Sequence, residues 1–196
     1  MDGRKVLVDE DAQRIVEICK SHRAQQVQIA KDDAEAMKLK AARRSAFPAL
    51  ARIRPTTILE DATVPRSALA EAVTKISEIA RKHQVTLGDF GHAGDGNLHP
   101  TFLTDERNPE ELRRAESAFD EVFHLAIDMG GSITGEHGTG LAKKKFLPKQ
   151  VGQPAIEMMQ KLKAVMDPNN VLNPGKIFAP KVRCEGRLSG QCEKIP

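Results

Sequence analysis

Residues 85–90 and 98–103 are strand-length segments separated only by Gly91-His92-Ala93-Gly94-Asp95-Gly96-Asn97. A connection that short joins antiparallel neighbours, so the pair reads as a hairpin. A strand at residues 57–64 and a helix at 67–83 precede it, the helix placing Leu69, Ala72, Val73, Ile76 and Ala80 on its inward face. A helix at 108–129 and a short strand at 132–134 follow. Strand, helix, strand, strand, helix, strand is the ferredoxin-like βαββαβ order: an α+β fold with one antiparallel sheet and its helices on one face. The long helix carries its own punctuation, with Asn108 as N-cap, Pro109 in the first turn, Glu111 closing a capping box and Gly130-Gly131 at the end.

The flanks are simpler. Ala12, Ile15, Val16 and Cys19 recur at helical spacing over residues 9–22, Gln26 to Ala30 alternates like a strand, and residues 32–46 form a second helix stopped by Pro48. Beyond the βαββαβ unit come a short basic helix near 141–146, another helix at 154–166, and a stiff Pro- and Gly-punctuated connection from Asp167 to Lys176. We expect one domain over residues 1–180 and a polar tail at 181–196. A helix-strand pair at the start lacks the strand on which the helix would pack, which reads as a segment of a longer protein.

Composition narrows the function. The 196 residues are 40% hydrophobic, enough for a core, and 30 basic against 27 acidic residues leave a net charge of only +3 with no Trp or Tyr. Those values exclude the basic, aromatic-bearing surface of a nucleic-acid binder. No apolar run approaches the ~20 residues of a membrane helix, and Met1-Asp2-Gly3-Arg4-Lys5 is no secretion signal, so the expectation is a cytoplasmic protein that does not span a membrane. Cys19, Cys184 and Cys192 form neither a disulfide framework nor a zinc finger; Cys19 is expected in a helix core and the other two on the tail surface.

The chemistry concentrates in two glycine-flanked segments, 90–100 and 135–138. A hairpin brings His92 and His99 to one end of the sheet, and with Glu136 they suffice to hold a divalent metal while leaving positions open for substrate. Singly, each histidine is as well explained as an ordinary loop residue; together with Glu136-His137 they favour a site. If Glu136 binds the metal, His137 is free to move protons and is the candidate general base. A phosphate-cradle reading of Gly91, Gly94 and Gly96 is weak, because such loops open a helix and this one joins two strands. Arg43 and Arg44, at the end of the second helix, could grip a carboxylate or stand as solvated charges favourable to the helix dipole. His22, His83, His124 and the Lys143-Lys144-Lys145 run read as surface residues.

The two segments, with Gly131-Ser132-Ile133-Thr134 and Asn173-Pro174-Gly175-Lys176, closely resemble the C-terminal cap part of FAD-linked 2-hydroxy-acid oxidases and dehydrogenases, the glycolate oxidase flavoprotein branch above all. That resemblance implies that His92, His99 and Glu136 ligate zinc or manganese, that His137 takes the hydroxyl proton as hydride passes to flavin, that Arg43 binds the substrate carboxylate, and that Asn173 approaches the FAD. It further implies a small 2-hydroxy acid such as glycolate or D-lactate as substrate, and flavin-domain and iron-sulfur subunits as partners. Most of the FAD site then belongs to an N-terminal domain outside this chain, which alone would not turn over. Lys40 and Leu59 depart from a tryptophan and a substrate-binding lysine found in some relatives, which argues against a dicarboxylate. The competing readings are a metal-dependent hydrolase using the same ligands on water, and a non-catalytic remnant that binds a partner subunit.

Overall fold

The computed structural model describes residues 3–178, the side chain of Arg43 apart; Cys184, Cys192 and the expected tail lie outside them. The chain divides into two compact units, Met1–Ala49 and Leu50–Pro196.

In the first unit, α1 spans Lys5–Ser21 and α2 spans Asp33–Arg44. The start of α2 is set by Asp32, whose Oδ1 accepts the Glu35 N–H at 2.8 Å, while Glu35 reaches back to the Lys31 N–H at 2.7 Å. Reciprocal capping of this kind satisfies two orphan donors at once. Cys19 is only half-buried. The expected strand at 26–30 does not form: its apolar-polar alternation favours extended backbone, but among the described residues no strand pairs with it. A short helix, α3 (Ala46–Leu50), leads into the second unit.

That second unit is built on one long strand, β4 (Asn97–Thr104), buried along its whole length. On one side it pairs with β3 (Thr86–His92), from Thr86 opposite Leu103 to His92 opposite Asn97. On the other it pairs with β1 (Thr56–Leu59) and then β2 (Ala62–Thr63). The expected strand at 57–64 is thus interrupted, yet both pieces keep one register. The register that sets Leu59 against Thr101 and Ala62 against Leu98 places Glu60 opposite Pro100 and Asp61 opposite His99. Proline has no N–H to donate, so the ladder thins there to the single bond from Glu60 N–H to Pro100 O at 3.2 Å. The expected strand at 132–134 reduces to one bridge, Ser132 with Thr63, held by two N–H···O bonds of 2.8 and 2.9 Å. The ferredoxin-like neighbour order is nonetheless preserved, from Ser132 through β2 and β4 to β3.

Two helices, α4 (Leu69–Lys82) and α5 (Pro109–Asp128), cover one face of this sheet. Side chains alternate along β4, so Leu98 and Phe102 meet the helices while Asn97, His99 and Thr101 face the other way. Phe102 is fully buried, and its ring lies 4.3 Å from that of Phe119. Burying one such ring contributes roughly 1.5–3 kcal/mol. At the start of α5, Asn108 Oδ1 accepts the N–H groups of Glu110 and Glu111 at 3.1 and 3.3 Å. The capping box is not closed as expected, because the Glu111 carboxylate turns to the Arg54 guanidinium and the Asp105 N–H. No helix forms at 141–146; the chain first turns helical at α6 (Leu147–Val151) and continues into α7 (Gln153–Met166).

One residue conflicts with this packing. Asp89 shares the helix-facing side of β3 with Leu87, lies opposite Pro100, and neither buried carboxylate oxygen has a hydrogen-bond partner among the described residues. Burial raises its pKa from 3.8 to about 6, the nearby Phe90 N–H opposing only weakly. Between those values the unfolded chain releases the proton and the folded chain keeps it, so stability falls as pH rises through that window and then levels off, about 3 kcal/mol lower at most. Asp89→Asn should therefore raise the urea unfolding midpoint at pH 7.5 and leave it nearly unchanged at pH 4.

Candidate functional site

The sheet face turned away from α4 and α5 carries the titratable cluster. β3 delivers His92 at its last position and β4 delivers His99, 4% exposed, with the Phe90 ring 5.8 Å away. The hairpin between them depends on Gly96: its φ is 73°, and a Cβ there would lie 2.2 Å from Val64 O. From the other edge of the sheet, the segment after Ser132 brings Glu136 and His137. Glu136 Oε1 lies 2.9 Å from His99 Nε2 and 3.4 Å from His92 Nε2. The His137 ring stacks on that of His99 with centroids 5.2 Å apart, its Nε2 3.9 Å from the same Glu136 oxygen.

One nitrogen from each of His92 and His99 and one oxygen from Glu136 all lie within 4.8 Å of one another. Two imidazoles and a carboxylate suit zinc or manganese, and the donor set is open on one side: the side chains of His92, Glu136 and His137 are 36%, 49% and 41% exposed. His99 is held below the usual histidine pKa, first by burial and then by its neighbours His137 and His92, with Glu136 and Asp61 opposing. A neutral imidazole offers a lone pair, the form in which histidine ligates.

Sequence reasoning missed what holds this loop. Asp61, fully buried, accepts N–H groups from Gly135, Glu136 and His137 on one oxygen, Oδ2, at 2.6, 2.8 and 3.2 Å. The Thr134 hydroxyl donates to both carboxylate oxygens at 3.1 and 3.0 Å. Lys143, 2% exposed, pairs with Oδ1 and donates to Asp61 O at 2.8 Å, with Glu60 Oε2 at 3.2 Å. The lysine run is therefore no uniform solvated face: its first member is interior. Burial alone would raise the Asp61 pKa; Lys143 and the three backbone donors more than reverse this and hold it far below the usual carboxylate range. The sequence signal was the pair of carboxylates, Glu60 and Asp61, inside the strand-like segment Ile58 to Val64, which periodicity alone passes over. Gly135 matches this crowding, since a Cβ there would fall 2.4 Å from Thr63 Oγ1 and 2.6 Å from Asn97 Cγ.

Arg43 is the penultimate residue of α2, in the first unit. Asn173, at φ 48°, lines a groove of about 440 Å³ with Leu162, Met166, Leu172 and Phe178, and does not join the histidine cluster. His83 is paired, its Nε2 2.8 Å from Glu121 Oε2, whereas His22 and His124 are exposed.

The family model of FAD linked oxidases, C-terminal domain, matches residues 1–177, and the chain belongs to that family. It is 52% identical over 182 residues to the glycolate oxidase subunit GlcD of Bacillus subtilis, covering 93% of this chain and 39% of that protein. The Escherichia coli subunit of the same name is 37% identical over 184 residues, covering 94% and 37%. A mitochondrial D-lactate dehydrogenase (cytochrome) of Arabidopsis thaliana is 31% identical over 182 residues, covering 92% and 32%. The chain thus spans about two-fifths or less of the length of these relatives. Among the described residues, no helix is long and apolar enough to cross a membrane.

Removing one partner of a buried pair strands the other charge, at about 3–5 kcal/mol. Lys143→Met should lower the unfolding free energy by that amount in urea titrations, whereas Lys145→Met, which breaks an exposed pair with Asp120 and an ammonium contact over the Phe146 ring, should lower it by only about 1 kcal/mol.

Proposed function

We propose that this chain is the C-terminal, substrate-side part of an FAD-dependent oxidoreductase that converts a small 2-hydroxy acid, of the glycolate or D-lactate type, to the 2-oxo acid. The observation that carries the reading is the convergence of His92, His99 and Glu136 with His137 stacked beside them. The names of the relatives, glycolate oxidase subunits and D-lactate dehydrogenases, supply the substrate class.

In this reading His92, His99 and Glu136 hold a divalent cation, zinc or manganese, whose chemistry when bound is to lower the pKa of an adjacent hydroxyl oxygen. FAD, bound largely by polypeptide outside this chain, supplies the hydride acceptor that no side chain provides. His137 accepts the hydroxyl proton at Nε2, the ring nitrogen directed to Glu136. Burial keeps His99 neutral and fixed, while the exposed sides of His92, Glu136 and His137 leave room for substrate to enter. Arg43 binds the substrate carboxylate and Asn173 approaches the flavin, both by family resemblance. Partner subunits belong to the same proposal, supported by the bacterial relatives named as oxidase subunits; an iron-sulfur subunit among them is proposed from family resemblance, and a cytoplasmic location from the sequence.

Elemental analysis of the purified chain should find about one equivalent of zinc or manganese, and His92→Ala with His99→Ala should remove it. Fused behind the flavin-bearing portion of the Bacillus subtilis relative, the chain should let glycolate or D-lactate bleach the flavin absorbance. His137→Ala in that fusion should slow bleaching by about 10²–10⁴-fold without loss of metal. A hydrolase would show no bleaching with any 2-hydroxy acid.

A further inference from the structure

We infer that Asp61, neutralised by Lys143, is the positioning residue of this site: it turns Glu136 and His137 toward the same cavity and fixes which ring nitrogen of His137 accepts a proton. The inference rests on the function proposed above.

Consecutive residues of a strand point to opposite faces, so Glu136 and His137 share a cavity only if the backbone curls. Here the N–H groups of Gly135, Glu136 and His137 converge on the single oxygen Oδ2 of Asp61. Successive amides wrapped on one acceptor form the concave nest that backbones use to bind anions, and in this fold the anion is an internal side chain. Thr134 closes the curl, its hydroxyl donating to Asp61 and accepting the Gly138 N–H at 2.8 Å. The other oxygen, Oδ1, takes Lys143 and stands 3.5 Å from His137 Nδ1. An anionic acceptor on that side favours the tautomer with hydrogen on Nδ1 and leaves the Nε2 lone pair directed to the Glu136 side. The strand register adds a further tie, since Asp61 lies opposite His99 across the ladder.

Asparagine cannot take over this work. It has one acceptor oxygen, and its amide group would set donors against either Lys143 or the three N–H groups.

The test combines two readouts on the chain itself. The first is zinc affinity by chelator competition, comparing Asp61→Asn with a distant core variant, Phe119→Leu, that probes general destabilisation. We expect Asp61→Asn to weaken zinc 10- to 100-fold, as losses of outer-shell partners do, and Phe119→Leu to leave it unchanged. The second needs no metal: nitrogen NMR of the His137 ring and amide hydrogen exchange at 135–137. The unmutated chain should show the Nδ1–H tautomer and protected amides, both lost in Asp61→Asn. Where the parent binds zinc, equal affinity in Asp61→Asn overturns the inference. So does an Nε2–H tautomer in the parent, a result available even if the variant fails to fold. A parent that binds no zinc but shows the expected tautomer and protection refutes the metal reading and supports the role of Asp61.

Discussion

A carboxylate removed from water is costly unless its charge is matched and its lone pairs are filled, and at Asp61 both conditions are met. Lys143 supplies the charge, and Thr134 with three backbone N–H groups supplies the donors. The arrangement is mutual. The carboxylate is tolerable because the loop wraps it, and the loop, which has left the sheet after one bridge at Ser132, gives its amides to that carboxylate. Two elements far apart in sequence, the interrupted first strand and the segment from 134 to 143, are thereby locked into one body beneath the histidines.

The sheet divides its labour along a single strand. Even-numbered positions of β4, Leu98 and Phe102, are spent on the apolar contact with α4 and α5, and the odd-numbered His99 belongs to the opposite face with Asn97 and Thr101. A slip of one residue in the β3–β4 register would exchange these sets, driving imidazole into the core and phenylalanine out of it. Register and alternation, with Leu98 and Phe102 taken by the helix side, leave His99 to the opposite face. Pro100 plays the complementary part, since the gap it leaves in the ladder falls beside Asp61, whose side chain holds the loop.

Much of this was legible in the sequence because it depends on local rules. The hairpin follows from two apolar runs and a glycine-rich turn, α5 from Asn108 and Pro109, and the meeting of His92 with His99 from hairpin geometry. What escaped depends on pairing at long range. The alternation at residues 26–30 carries no information about whether a partner strand exists, and none pairs with it among the described residues. A lysine run looks the same whether all its members are solvated or one is drawn to a buried aspartate eighty-two residues earlier. Glu111 likewise satisfied the spacing of a capping box, yet Arg54, remote in sequence, captured its carboxylate.

Burial across the candidate site is graded, and the gradient has a chemical meaning. Asp61, Lys143 and His99 are interior, so their positions are set by packing and cannot respond to a ligand without disturbing the sheet. His92, Glu136 and His137 are each at least a third exposed, so they can be approached. A rigid inner half with an accessible outer half is what proton transfer asks of a protein: the base must be aimed in advance, and the substrate must still arrive and leave. Hydride transfer asks for something different, an acceptor that none of these side chains provides. On the proposed function, the two halves of the oxidation are therefore carried by different polypeptide: this chain aims the base, and flavin bound largely outside it takes the hydride. The open side of the cluster is then the side on which the two must meet.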